Sequence, residues 1–543
     1  MFADSIYRNG KIYTVDPRRS WAEAVAIKDG RFIYVGAGDG VADHIGPETQ
    51  IIDLEGKMAM PGLHDMHIHG VEGALAQLFY CNFPFTATAN EIVDAVKAFA
   101  QERPEEEWII GGAWLMGIAA EIHKSKLDEV CPDRPVFLWD AAHHNAWVNS
   151  KALEIAEVTD GTEDPDGGEY GRDGDGQPTG LLLEEAANHV FGFVPKHSDE
   201  EYRSAIKWLA GMLNSLGVTS IKEAAVNRPM MEAYKAVDDA GELNLRVGCH
   251  FLWVTPFVYD PADLEPLLHD RHQYASNRIQ VDFLKLFLDG VPAARTACML
   301  DPYVGDDPSM HDPYRLMLVD RELLKDVLIR FDREGLIVKM HATGDASLRA
   351  ALDAIEAARI ANGDSGLGHE IAHPQNVHPD DLSRFAELRA VPDLCPILWH
   401  PSPNKNTVVA ATIGKERNEK SWPIGSYARS GAHVIAGTDW PAMAPTASNW
   451  PGIQAMITRE DPLERVPGKL GVGEEVDVAT ALEFYTINGA KAARHETDCG
   501  SIEVGKLADM IVLNQNLFEI DRFQIKNTQV LLTMIGGEVV FRA

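Results

Sequence analysis

The stretch PGLHDMHIHG, residues 61–70, puts His67 and His69 two positions apart. Alternate side chains of a strand share a face. On a strand the two imidazoles therefore point the same way, close enough to share one metal ion. Pro61 and Gly62 punctuate the entry and Gly70 ends the run. A lone His-x-His pair is weak evidence in a chain with 20 histidines. What gives this one weight is that suitable partners recur downstream, each at the end of an expected strand.

Working outward, the central part of the chain alternates strand and helix, the pattern of a parallel sheet. Eight strands are expected: Gly62–His69, Val218–Glu223, Arg246–Trp253, Val281–Leu288, Leu336–His341, His369–His373, Val391–Leu398 and His433–Asp439. Amphipathic helical stretches such as Asp320–Arg333, Ala346–Arg359 and Pro379–Leu388 lie between them. Eight such units predict an α/β fold, a (β/α)8 TIM-like barrel over residues 61–494. The gap after the first strand is too long for one helix, so it must hold an inserted subdomain, about residues 75–205. Within it, Asp164–Thr179 (DPDGGEYGRDGDGQPT) lacks the spacing of a calcium loop and reads as a surface loop or hairpin. Residues 1–60 read as short strands, Ser5–Val15, Ala24–Val35 and Gln50–Leu54, broken at Asn9-Gly10 and Asp29-Gly30. Ala508–Leu513 and Val530–Phe541 resume that texture. The two ends, 1–60 plus 495–543, are expected to build one small β-sandwich domain together.

The 543 residues are 45% hydrophobic and 24% charged, a globular balance with room for more than one domain. No apolar stretch reaches the ~18 residues that span a bilayer. The N-terminal MFADSIYRNG has no basic segment followed by an apolar one, so no secretory signal is read there. Cysteines stand at 81, 131, 249, 298, 395 and 499 without a C-x-x-C pair, which suggests neither a zinc knuckle nor a disulfide framework. A reducing cytoplasm is expected. The net charge of −33 disfavours nucleic acid and membranes as partners and reads as a solubility feature.

Barrel enzymes carry their reactive groups at the C-terminal ends of the strands. Five of the eight strands offer metal-competent side chains there. The first gives His67 and His69, the fifth ends at His341 (LIVKMHATGD), the sixth at His373 (GHEIAHPQ) and the eighth at Asp439 (VIAGTDWP). The fourth, VDFLKLFLDG, contains Lys285. Phe283, Lys285 and Phe287 share one face of that strand, and Leu284, Leu286 and Leu288 the other. Both faces are largely apolar, so the strand is expected to be buried on both sides. A lysine there must be neutral, paired or modified, because an unpaired buried ammonium is very costly. A neutral amine can take up CO2 as a carbamate able to bridge two cations. The bland alternatives are a lysine reaching the barrel rim or pairing with Asp289.

These residues, with the segments RPVFLWDAAHHNAWVNSKAL, TGLLLEEA, LGVTSIKEA, KLFLDGV, HATGDA, HEIAH, AGTDWP and GSIEVGKLADMIVL, make the chain resemble the amidohydrolase superfamily. The likeness is to the YtcJ-like branch that includes N-substituted formamide deformylase, and it covers nearly the whole length. The resemblance implies that His67, His69 and Asp439 hold one metal ion, that His341 and His373 hold a second, and that a carboxylated Lys285 bridges them. It also suggests a homo-oligomer, a dimer. The chain departs from the family pattern in three places. Ala142-His143-His144-Asn145 stands where relatives often show Asp-Gly-His-Ser, Val291 follows Asp289-Gly290 where Ser is frequent, and Thr438 precedes Asp439 where Ser is usual. The first two are expected to touch the substrate pocket, so a formamide preference does not transfer with the fold.

The expected activity is hydrolysis of a C–N bond in a small N-substituted amide or formamide. A hydroxide bridging two divalent ions, zinc by preference, attacks the carbonyl, and Asp439 accepts and relays the proton. His144 is a candidate for polarising the carbonyl. Trp114, Trp147, Phe287 and Trp440 are candidate apolar walls. Iron or manganese also suits the donor set. The competing enzyme reading is a mononuclear deaminase or a cyclic-amide or ester hydrolase with an unmodified Lys285. A catalytically silent scaffold would have lost ligands, and a sugar- or peptide-binding module would not need aligned histidines at strand ends.

Overall fold

The computed structural model describes residues 1–84, 86–141, 144–254, 263–442, 444 and 446–543. The chain forms two compact units, one comprising Met1–Gly70 with Ile206–Ala543 and the other Val71–Ala205. Among the described residues no helix is long and apolar enough to cross a membrane.

The larger unit is organised around an eight-stranded parallel sheet in sequential order. Its strands are β1 (Leu63–Ile68), β2 (Val218–Val226), β3 (Arg246–Val254), β4 (Ile279–Phe287), β5 (Ile337–His341), β6 (Glu370–Ala372), β7 (Val391–Leu394) and β8 (Ile435–Ala436). Each coincides with one of the eight expected segments. The sheet curls so that its last strand returns to its first. Just beyond β8, Asp439 N donates to His67 O at 2.7 Å and His69 N donates to Trp440 O at 2.8 Å. These bonds make the sheet a TIM-like barrel.

The last two strands are shorter than expected. Leu394 ends β7 because Pro396 opens a tight turn, Pro396–Leu398, and has no N–H for a ladder. Outside the barrel, the helix Arg321–Arg333 starts where Asp320 caps the backbone N–H groups of Glu322 and Leu323. It buries Leu324, Val327, Leu328 and Phe331, the i, i+3, i+4, i+7 stripe of an amphipathic helix. Pro379–Leu388, expected as one helix, is two short ones, Pro379–Leu382 and Arg384–Glu387.

The termini supply two further sheets. Ser5–Arg8 pairs with Ala24–Lys28 and Gln50–Asp53, and Arg31–Gly36 completes four strands. Lys11–Tyr13 turns away at Asn9-Gly10 and joins a six-stranded sheet with Trp21–Ala22, Met58–Pro61, Met510–Leu513, Val530–Ile535 and Glu538–Arg542. The single strand expected over Ser5–Val15 is thus two strands in two sheets. Met510–Leu513 runs antiparallel to Met58–Pro61, residue against residue from Met510↔Pro61 to Leu513↔Met58. One core cluster joins Ile12, Val25 and Ala59 from the N-terminal segment to Met510, Val512 and Met534 from the C-terminal one.

The unit Val71–Ala205 is built on a six-stranded sheet of its own, in the order Gly168–Arg172, Pro178–Glu184, Asn145–Val148, Val136–Asp140, Ile109–Trp114 and Cys81–Asn82. The turn-rich Asp164–Thr179 stretch lies at its edge, where Gly168–Arg172 pairs antiparallel with Pro178–Glu184.

Within the larger unit, Arg246 at the start of β3 is paired with Asp509, which precedes a C-terminal strand, and both are buried. Asp509 also accepts from Gly536 N at 2.7 Å. Removing one partner of a buried pair strands the other charge, at a cost of about 3–5 kcal/mol. Asp509→Ala should therefore lower the unfolding free energy of the full-length protein by an amount of that order, read as a lower urea midpoint. An unchanged midpoint would show that the pair does not tie the C-terminal strands to the barrel.

Candidate active site

The site is built at the C-terminal ends of β1, β4, β5, β6, β7 and β8. Asp65, two residues before His67, fixes the seam between the first and last strands. Its Oδ1 accepts from Thr438 N (3.0 Å) and His67 N (3.2 Å), and its Oδ2 from Thr438 Oγ1 (2.7 Å). Thr438, the residue that differs from the family's usual serine, thus keeps its hydroxyl in use. Gly437 lies so close to β1 that a Cβ would stand 2.6 Å from Asp65 Oδ1 and 2.8 Å from His67 O, and closer still to His67 N. At the ends of β6 and β8, His373 (φ 58°) and Asp439 (φ 59°) take the left-handed backbone. Such non-glycine positions gather at functional sites, and here they carry two of the converging side chains.

The donor atoms meet in a small volume. Asp439 Oδ1 lies 3.5 Å from His67 Nε2 and 3.6 Å from His69 Nε2, and Asp439 Oδ2 lies 3.8 Å from His373 Nε2. Those separations are too long for good hydrogen bonds. They are near the edge of a tetrahedron of donors about 2.0–2.1 Å from a central ion, which is about 3.3–3.4 Å. His67, His69 and Asp439 form one group able to hold a metal, and His67, His373 and Cys395 form another.

The electrostatics suit a cation. Burial, with Lys285 and Lys339 nearby, holds His67 well below the usual histidine range, and the same causes bring His69 down to about 3. Burial with His341 and Lys285 does the same to His373. Each of these shifts favours the neutral imidazole, the form in which histidine binds a metal. Burial raises the Asp439 carboxyl, Lys285 partly offsets this, and Asp393 and Asp65 add to it. A bound cation would relieve that strain.

Beneath the donors runs a chain of buried charges. His67 Nδ1 donates to Asp393 Oδ2 at 2.7 Å, which fixes the ring tautomer and turns Nε2 toward Asp439. The same Asp393 oxygen accepts from Lys339 at 2.6 Å. Lys339 lies 3.2 Å from Glu370, which also pairs with Lys222. All five side chains are fully buried. For Lys339, burial is outweighed by Asp393 and Glu370, and the ammonium is held above its ordinary value. Lys285 is fully buried too. Its Nζ is 3.3 Å from His67 Nε2 and 4.8 Å from the centre of the Phe287 ring. Burial and the neighbouring Lys339 pull it down toward neutrality. The alternative of a pair with Asp289 does not hold. Asp289 is occupied by Cys298 N, Thr343 N, Gly344 N and Ser347 Oγ at 2.6–3.0 Å.

The remaining candidates divide by position. The His341 ring centre is 4.9 Å from that of His373, and its Nε2 sits 3.2 Å from Gly290 O, which leaves Nδ1 for other use. The Phe287 ring lies beside His341, centroids 5.3 Å apart and planes tilted by 34°. Trp440 is nearly buried, and its carbonyl is bonded to His69 N. Trp114 and Trp147 belong to the unit Val71–Ala205 and are wholly buried in its apolar core, where Trp114 Nε1 donates to Leu138 O at 2.8 Å. They are packing residues of that core rather than exposed walls. His144 lies on an exposed edge of the same unit and pairs through Nδ1 with Glu184 at 2.7 Å. Ala142 and His143 lie outside the described residues. The sequence reading missed Asp393, Cys395, Lys339, Glu370 and Asp65. The argument applied to Lys285 could have found Lys339, which shares a strand face with His341. Asp393 lies on β7 and Cys395 is the first residue after it, inside the segment expected as the seventh strand.

Comparison with known proteins places the chain in a family. The model of the amidohydrolase family (Amidohydro_3) matches residues 50–541. The putative amidohydrolase YtcJ of Bacillus subtilis is 29% identical, with 99% of each chain covered. The N-substituted formamide deformylase of Arthrobacter pascens is 27% identical over 98% of this chain and 97% of its own. An uncharacterized metal-dependent hydrolase from Pyrococcus furiosus superposes with a TM-score of 0.73 at 25% identity, covering 94% of this chain and 99% of that one. The chain belongs to the amidohydrolase family, and it is a metal-dependent hydrolase.

Two variants probe the positioning of His67. Gly437→Ala should push β1 away from β8, and metal titration followed by elemental analysis should find less metal retained. Asp393→Asn removes the charge that orients the imidazole. It should weaken metal binding by about 10–100-fold, as loss of such outer partners does elsewhere, measured by competition against a chelator. Unchanged retention in both variants would remove the positioning role.

Proposed function

We propose that the chain hydrolyses the C–N bond of a small N-substituted amide or formamide. The observation that carries this reading is the convergence of His67, His69 and Asp439 on one point at the barrel mouth, with His373 and Lys285 alongside. The deformylase among the relatives favours an amide carbonyl as the target. In this reading His67, His69 and Asp439 hold one divalent ion, His341 and His373 a second, and a carboxylated Lys285 lies between them. The buried, near-neutral amine of Lys285 suits that modification: its nitrogen bonds to the carbon of CO2 and releases a proton. Zinc fits the nitrogen and oxygen donors, and when bound it would supply Lewis acidity and lower the pKa of a water.

The chain's own groups do the rest. Asp439 takes the proton of the attacking water and passes it to the departing nitrogen, a role suited to a carboxyl whose proton affinity burial has raised. Phe287 and Trp440 present apolar surface to the N-substituent. Asp393 keeps His67 in one tautomer throughout. The six free, buried thiols suit a reducing compartment such as the cytoplasm.

A second reading keeps Lys285 unmodified and uses one ion. The Asp439 and Asp393 carboxylates near Lys285 favour its unmodified ammonium, and the 3.3 Å contact of its amine with His67 Nε2 would give way when that nitrogen binds the ion. Metal counting separates the two, with two ions per chain expected for the first reading and one for the second.

The activity test is a panel of N-substituted formamides and N-acyl arylamines, followed by amine release. Metal-loaded protein should turn over at least one class, lose that activity to a chelator and regain it with zinc. Asp439→Asn should lower kcat by about 10²–10⁴-fold, the usual contribution of a positioned acid–base group. His67→Ala should abolish turnover while the melting curve stays cooperative. Undiminished turnover in both variants would refute the assignment.

A further inference from the structure

We propose that Cys395 is a sulfur ligand of the metal held by His67, so that the centre is of mixed nitrogen, oxygen and sulfur character. The inference rests on the reading above that the cluster binds a metal, and it adds a donor which that reading does not use.

The placement follows from β7. Asp393 lies on β7 and Cys395 is the first residue beyond its end, two positions further on. Asp393 reaches His67 Nδ1. Cys395, two residues nearer the C-terminal end of the barrel, brings its Sγ within 4.8 Å of a ring nitrogen of His67 and of His373. The Asp439 and Asp393 carboxylates are its charged neighbours. The residue is wholly buried. Its backbone is held by a turn in which Leu398 N donates to Cys395 O at 2.9 Å.

This thiol differs from other cysteines in the chain. Cys131 and Cys499 donate to backbone carbonyls of their own neighbourhoods, Arg134 O and His495 O, as structural thiols do. Cys395 instead lies among the His67 and His373 imidazoles, with the Asp439 and Asp393 carboxylates near. A zinc–sulfur bond is about 2.3 Å and a zinc–nitrogen bond about 2.0–2.1 Å. The corresponding sulfur–nitrogen edge of a tetrahedron is therefore about 3.6 Å, within the 4.8 Å span that holds these donor atoms. On coordination the thiol loses its proton to solvent, and the sulfur binds as thiolate. A soft donor biases the centre toward zinc or cobalt and away from manganese and magnesium.

The experiment is cobalt substitution of the full-length protein. Wild type should show both the visible ligand-field bands of bound cobalt and a near-ultraviolet sulfur-to-cobalt charge-transfer band. Cys395→Ser should lose the charge-transfer band and keep the visible ones, with Cys395→Ala as a second variant. X-ray absorption of zinc-loaded wild type gives an independent reading, a sulfur scatterer at about 2.3 Å. Visible bands without the charge-transfer band in wild type would overturn the sulfur ligand and leave the hydrolase reading standing. A charge-transfer band that survives in both variants would assign the sulfur elsewhere and also overturn it. Absence of any cobalt spectrum would remove the metal reading itself, and this inference with it.

Discussion

The 2.7 Å hydrogen bond between His67 Nδ1 and Asp393 joins the active-site donors to the interior of the barrel. Behind Asp393 the charges alternate in sign: Lys339, then Glu370, then Lys222. Barrel interiors are more often layers of branched apolar side chains. Here an ionic column takes that place, and removing a member takes one partner from each buried neighbour. The column need not add net stability to serve the site. What it provides is a fixed orientation for one imidazole whose other nitrogen faces Asp439.

The second constraint is the seam where the barrel returns on itself. Asp65 holds Thr438, Gly437 admits the β1 backbone, and two backbone bonds tie His67 and His69 to Asp439 and Trp440. The residues that complete the cylinder are the residues that present the donors. Closure of the fold and assembly of the metal-binding cluster are therefore one event, and a substitution at the seam acts on both.

Much of the architecture was readable because parallel strands buried on both faces leave short apolar runs between amphipathic helices, and eight such runs recur. Their ends were less readable. β8 is two residues long, and nothing local to VIAGTDWP distinguishes its ladder from the turn that follows. Asn9-Gly10 announced a turn, but not that the chain on either side would enter different sheets. Among the site residues, His67, His69 and Asp439 stand in a recognisable order and meet in space. Asp393 and Cys395 escaped notice although their strand was expected, because no histidine marks it and because cysteine spacing was weighed only against C-x-x-C patterns. Trp114 shows the opposite limit. An aromatic residue in a motif has no sequence mark that separates a pocket wall from a core.

The account stands on a metal ion at the meeting point of His67, His69 and Asp439. Anomalous diffraction from crystals of the metal-replete protein tests it most directly. The account predicts an anomalous peak about 2.0–2.2 Å from His67 Nε2, His69 Nε2 and an Asp439 oxygen. A metal-replete crystal with no peak there, or with its metal bound only at a distant surface, would contradict it.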